Sequence, residues 1–140
     1  MKAIIYHSAS KKRRSEKTAK EFDGDLYEIK PLKPIKNIIL QMIVYGFKTV
    51  AKRSVSYEPI DIDFSKYDEI VLVSPVWASR ANAFMRQFLN DHPFKNKKVQ
   101  IIGNCDGGYN GYFQSFEGLL DDSNKIIEET MYVKGVLDTM

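Results

Sequence analysis

The chain has 140 residues, of which 44% are hydrophobic, 28% charged and 12% aromatic. That length and balance suit one domain, residues 1–140, with a single core, and they exclude wholesale disorder. A lone cysteine, Cys105, excludes an intramolecular disulfide framework, and two histidines without a CxxC pair argue against a zinc site, so no metal is expected.

The net charge of +3 is unevenly spread: residues 1–53 hold 13 basic and 5 acidic side chains, residues 54–140 hold 8 and 13. The basic first part reads either as facing an anionic ligand or partner, or as a solvated face. The strongest apolar run, residues 38–47, is half the roughly 20 residues of a membrane span. The beginning of the sequence lacks the long apolar region of a signal peptide. A soluble, cytoplasmic protein without membrane contact is expected.

In chain order, residues 3–6 (AIIY) read as a first strand. Residues 15–22 read as a helix capped by Ser15, with Thr18, Ala19 and Phe22 inward. Residues 26–29 (LYEI) give a second strand. Beyond Pro31 and Pro34, residues 35–52 place Ile35, Ile38, Ile39, Met42, Ile43, Phe47 and Val50 on one helical stripe. Residues 57–63, with Pro59, read as a loop or short extended piece. Residues 70–73 (IVLV) are continuously apolar, as in a central strand covered on both faces. Residues 82–90 carry Phe84, Met85, Phe88 and Leu89 at helical spacing. Residues 99–102 (VQII) give a fourth strand. Residues 112–120 predict a helix with Phe113, Phe116, Leu119 and Leu120 inward. Residues 126–133 (IIEETMYV) are more polar, as an edge strand would be. This alternation predicts right-handed βαβ units and a parallel sheet.

After the fifth strand only KGVLDTM remains, about one helical turn. A closing helix is therefore expected to be missing or vestigial. Apolar sheet surface left open would be covered by a homodimer partner or a displaced first helix.

Open parallel sheets bind ligands at the loops leaving the carboxyl ends of their strands. The first such loop, HSASKKRRS, offers hydroxyls on Ser8, Ser10 and Ser15. Lys11, Lys12, Arg13 and Arg14 add cations ahead of a helix, a suitable setting for a phosphate or simply a solvated basic loop. The second, SPVWAS, follows the central strand. Trp77, the only tryptophan, offers a flat platform there, with Ser74, Pro75, Val76 and Ala78 around it. The third, NCDGGYNGY, contains Asn104, Cys105, Asp106, Gly107 and Gly108. Its glycines permit close backbone approach and positive φ, and Tyr109 or Tyr112 could stack opposite the indole.

Cys105 has no obvious base beside it and reads as a packed thiol. His7 reads as a structural imidazole at a strand end and His92 as a surface residue. No residue is assigned a catalytic role.

These residues resemble the flavodoxin family over essentially the whole chain. The strongest parts are IIYHSAS, the helix end GFKTVAKR, and YDEIVLVSPVWASRANAFMRQFL, with DGGYNGYF a looser match. The resemblance implies an α/β three-layer sandwich, with a five-stranded parallel sheet in the order 2-1-3-4-5 and non-covalently bound FMN. By position, Ser8, Ser10 and Ser15 match phosphate-loop hydroxyls. Trp77 matches the aromatic flanking the isoalloxazine, Tyr109 or Tyr112 its counterpart, and residues 104–108 the backbone at the ring edge. The chain departs from the family where Lys11 and Lys12 replace the Gly-Asn of its phosphate loop and where Arg13 and Arg14 are inserted. It is also basic near the site, whereas electron-carrying members are acidic, which implies a less negative hydroquinone potential.

The resemblance thus implies electron transfer or a small flavin-dependent reductase, working with a redox partner protein or a quinone-like substrate. A different reading is a flavin-free module of the same fold that binds another anion or a protein. Nucleic acid is not expected, because the basic cluster is short and carries no interleaved aromatics.

Overall fold

The apolar run at residues 70–73 lies at the middle of a sheet, hydrogen-bonded to a parallel strand on each side. The computed structural model describes residues 1–8, 13–32, 55–77 and 80–138. Its elements are β1 (Lys2–Tyr6), α1 (Arg14–Ala19), β2 (Asp25–Glu28), β3 (Glu69–Trp77), β4 (Arg80–Ala81), α2 (Ala83–Asp91), β5 (Lys98–Cys105), β6 (Lys125–Val133) and β7 (Val136–Leu137). Short 3₁₀ turns occupy Phe64–Lys66 and Phe113–Phe116.

Five strands run parallel in the order β2-β1-β3-β5-β6, which is the expected 2-1-3-4-5 with hairpin strands left out of the count. The architecture is a flavodoxin-like α/β sandwich. Two short antiparallel strands were not legible in the sequence: β4 turns back onto the end of β3, and β7 onto the end of β6.

Alternate side chains of the central strands enter two cores. On one face Ile5, Leu72 and Ile101 pack with Phe84, Met85, Phe88 and Leu89 of α2, and with Tyr112, Phe116 and Met131. On the other, Ile4, Tyr6, Val71, Val73 and Ile102 meet Ala19 of α1. α2 starts where expected because the Asn82 side chain accepts from the Met85 amide at 2.8 Å, closing the first turn.

Beside α1 the second face turns polar. Gln100 Nε2 donates to Glu69 Oε2 at 2.7 Å, Lys2 Nζ lies 3.3 Å from the same carboxylate, and Glu128 pairs in register with Gln100. Among the described residues, this part of the face beside α1 carries hydrogen-bonded and charged side chains. Residues 132–137 form a hairpin rather than a helical turn. Lys134 (φ 52°) and Gly135 (φ 81°) both take left-handed conformations, the geometry of a tight two-residue connection.

The sequence placed two helices incorrectly. Ser15 is not the cap of α1: Arg13 is, and it makes no side-chain cap bond. The helix expected at 112–120 shrinks to Phe113–Phe116, because Gly111 (φ 86°) breaks the chain before it and the Ser115 hydroxyl is drawn out to the Ala81 amide. The helix expected at 35–52 and the GFKTVAKR segment lie outside the described residues. Among the described residues, no helix is long and apolar enough to cross a membrane.

Candidate functional site

The carboxyl ends of β1, β3 and β5 meet at one rim. β1 reaches it through His7, whose amide donates to Val73 O at 3.0 Å and extends the strand ladder. The imidazole is buried. Its Nδ1 hydrogen-bonds Ile29 O at 2.9 Å, so Nδ1 carries the proton and Nε2 is a bare acceptor; Nε2 is buried with no partner. The ring stacks on Phe84 (4.6 Å, 22°) and meets the Trp77 indole edge-on (5.7 Å, 89°). Burial, only partly offset by the bond to Ile29, pushes its pKa down to about 4, so the ring is neutral at physiological pH. His7 is structural, as expected, yet it also props the tryptophan.

Of the first loop, Ser8, Arg13, Arg14 and Ser15 are described; Ser10, Lys11 and Lys12 lie outside the described residues. Ser8 is buried. Arg13 sits in the left-handed region at φ 51°, a conformation that side chains with a Cβ disfavour. Two carboxylates hold it there: Nε bonds Glu16 Oε2 at 2.7 Å and Nη2 bonds Glu28 Oε2 at 2.8 Å. These partners, the hydrogen bond to Glu16 first, raise the arginine pKa further. Arg14 Nη1 pairs with the exposed carboxylate of Asp106. Both arginines, expected as phosphate ligands, are thus neutralised by acids of this chain. Ser15 points into the fold and accepts from Asn104 Nδ2 at 3.4 Å.

In the second loop, Pro75, Val76 and Trp77 are half-buried at the end of β3, and Ala78 lies outside the described residues. Two expected contacts are corrected here. Ser74 is fully buried and its hydroxyl pairs with Tyr112 Oη at 2.8 Å. Tyr112 is itself fully buried, its phenol pKa raised mainly by burial, and it presents no ring face at the rim. The sequence could not distinguish it from Tyr109, since both lie in one glycine-rich stretch.

Tyr109 is half-buried, and its hydroxyl donates to Asp138 at the base of the β6–β7 hairpin. That bond is the main reason its pKa rises to about 12. The hairpin also grips the loop through the Lys134 amide, which donates to Cys105 O at 2.8 Å. The short terminal hairpin thereby positions the third loop. Cys105 Sγ donates to Gly107 O at 3.2 Å, and burial raises the thiol pKa, which fits a packed thiol. Asn104 is buried and Asp106 exposed. Of the loop's three glycines, Gly111 takes the positive φ the sequence permits (φ 86°) and Gly107 and Gly108 do not, but an added Cβ at either of these two would meet nothing within 4 Å. The backbone there is open to a planar group.

The structure thus gathers Trp77, residues 105–109 and the described ends of the first loop (Ser8 and Arg13) at one rim, and withdraws Ser74 and Tyr112 into the core. Residues missed in the sequence are Glu16, Glu28 and Asp138, which hold the loops, and Arg80, opposite Trp77 in the β3–β4 ladder. Only the three-residue spacing of Arg13 and Glu16 signalled any of these. His92, read as surface, stacks on Phe88 at 4.6 Å. Among the described residues, a cleft of about 420 Å³ opens beside β2, away from the rim, and one of about 340 Å³ opens beside it, between Tyr109 and β6.

No family model matches the chain, and no curated protein does. Solved structures match it over nearly its whole length. A Lactobacillus acidophilus flavoprotein in complex with FMN superposes with a TM-score of 0.76 at 20% identity, covering 93% of this chain and 91% of that one. The chain shares a flavoprotein fold. A flavoprotein structure from Bacteroides eggerthii gives 0.74 at 20% identity over 93% and 86% of the two chains. The apo form of the Lactobacillus acidophilus flavoprotein gives 0.64 at 18% identity over 92% and 91%.

Proposed function

We propose that this protein binds FMN and passes electrons, as a flavodoxin-like carrier or a small flavin-dependent reductase acting on a redox partner or a quinone-like substrate. The observation that carries the reading is the half-buried Trp77 at the end of the central strand, on the same rim as a glycine backbone with open space before it. The fold likeness to a flavoprotein that holds FMN supports it. The isoalloxazine would lie against Trp77 and the backbone of 105–108, with Tyr109 rather than Tyr112 as the second aromatic. The phosphate would fall to Ser8, Ser10 and Lys11 and to loop amides, since Ser15 is turned into the fold. When bound, the flavin supplies the redox chemistry; the chain positions it and sets its field.

The carboxylates on Arg13 and Arg14 temper the basic character read from the sequence. The same ion pairs favour one rival, a flavin-free module whose cradle is closed by its own acids. Titrating the purified protein with FMN while following Trp77 fluorescence separates them. Saturable quenching with retained yellow colour is expected; a colourless protein with unquenched fluorescence would sink the flavin reading.

A further inference from the structure

We propose that the cleft between the third loop and β6 binds a small organic cation, a substituted ammonium with an apolar or aromatic body. The inference goes beyond the flavin reading and does not rest on it. The cleft holds about 340 Å³, the scale of a small-ligand site. One wall is aromatic. Burial of Tyr112 draws the third loop inwards and leaves Tyr109 and Phe113 half-buried along the cleft, their rings 6.3 Å apart and nearly perpendicular at 80°. Phe113 is itself held edge-on to Tyr112 at 5.3 Å. The other wall is β6, which contributes the buried Met131 and the exposed Glu129, the latter in register with Ile101 of β5. Asp138 ties the two walls together: its carboxylate accepts from the Tyr109 hydroxyl, and its amide donates to Met131 O at 2.8 Å.

The lining sets the sign of the ligand. Glu129 and Asp138 are the charged residues of the cleft, and among the described residues no lysine, arginine or histidine lines it. Glu16, Glu28 and Asp106 each hold an arginine, whereas Glu129 has no ion-pair partner among the described residues. The surplus of acids from residue 54 onwards, 13 against 8 basic side chains, draws cations to this part of the surface. Two carboxylates fall well short of the roughly six oxygens that a hard metal ion takes. Aromatic rings and a thioether instead suit a cation with an apolar body, which they contact through ring faces and a polarizable sulfur. Tyr109 also belongs to the Trp77 rim, so such a ligand would lie beside the proposed redox site.

The test uses three probes of similar shape and different charge: benzyltrimethylammonium, benzyl methyl sulfone and phenylmethanesulfonate. Each is titrated at low salt into protein free of FMN. The readouts are the ¹³C-methyl NMR signal of Met131, assigned with M131L, and the amide signals of Gly111 and Glu129. The cation should give saturable shifts at all three positions, with the neutral sulfone about fivefold weaker and the sulfonate without effect. E129Q should weaken the cation about threefold and E129K about tenfold, and added salt should weaken it further. F113L, which removes a ring but keeps an apolar side chain, should cost about threefold.

Equal affinity for the three probes would overturn the site. So would wild-type binding of the cation by E129K, or shifts confined to residues outside the cleft. Glu129 is exposed and E129K keeps that strand position charged, so both variants at this position should fold, which circular dichroism checks. No flavin takes part in these titrations, so failure of the protein to bind FMN would leave their outcome unchanged, and the two readings fall separately.

Discussion

The two faces of the sheet are built differently. The α2 face is thick and aromatic, with Phe84, Phe88, Tyr112 and Phe116 all at or below 1% exposure. The α1 face rests on a six-residue helix and a smaller cluster, then gives way to the Gln100–Glu69–Lys2 network. Among the described residues, the strands themselves supply polar side chains in register on this face. Stability should accordingly be concentrated on one side.

The largest effect is expected at Phe88→Ala, at about 3–5 kcal/mol in denaturant melts, as for other buried aromatic truncations. A comparable loss from Ile102→Val on the opposite face, where about 0.5–1.5 kcal/mol is expected, would break the comparison. Next comes the pH dependence of His7, which belongs to the thick face. Its folded pKa of about 4 lies below the ordinary 6.5, so the unfolded chain takes up the proton first. Stability is full above pH 6.5 and falls as the pH drops towards 4, by about 3 kcal/mol. In His7→Phe that part of the slope between urea melts at pH 7 and pH 4.5 should vanish.

Gln100→Ala should cost about 1.5–3 kcal/mol, for one lost hydrogen bond to a charged carboxylate. A much larger loss there would show the polar network to be a second core. Gly103→Ala should cost about 1–3 kcal/mol by overpacking. Its added Cβ would sit 2.6 Å from Met131 Cε and 2.9 Å from Tyr112 Cε2, both on the aromatic side.

The parallel sheet was legible because apolar runs such as 70–73 leave a central strand little choice. Trp77 was expected in a turn beyond a strand ending at Val73; it is instead the last residue of β3, paired with Arg80, because the ladder runs four residues past the apolar run. The polar ties between loops were not legible: Glu28 reaches Arg13 across 15 positions and Asp138 reaches Tyr109 across 29, distances at which sequence spacing carries no information. Nor did spacing tell Tyr109 from Tyr112. Burial decided that, through a hydroxyl bond to Ser74 set by the fold of the third loop.

The closing hairpin has a further consequence for the margin of the sheet. β7 pairs only with Tyr132 and Val133, so the outer backbone of residues 125–130 has no strand partner among the described residues. Ile126 and Ile127 are exposed there. Such a ribbon invites strand-to-strand stacking between molecules, and Lys125, Glu128 and Glu129 are its guard. Solubility at high concentration therefore depends on these three charges, and neutralising them would turn the margin into a seed for aggregation.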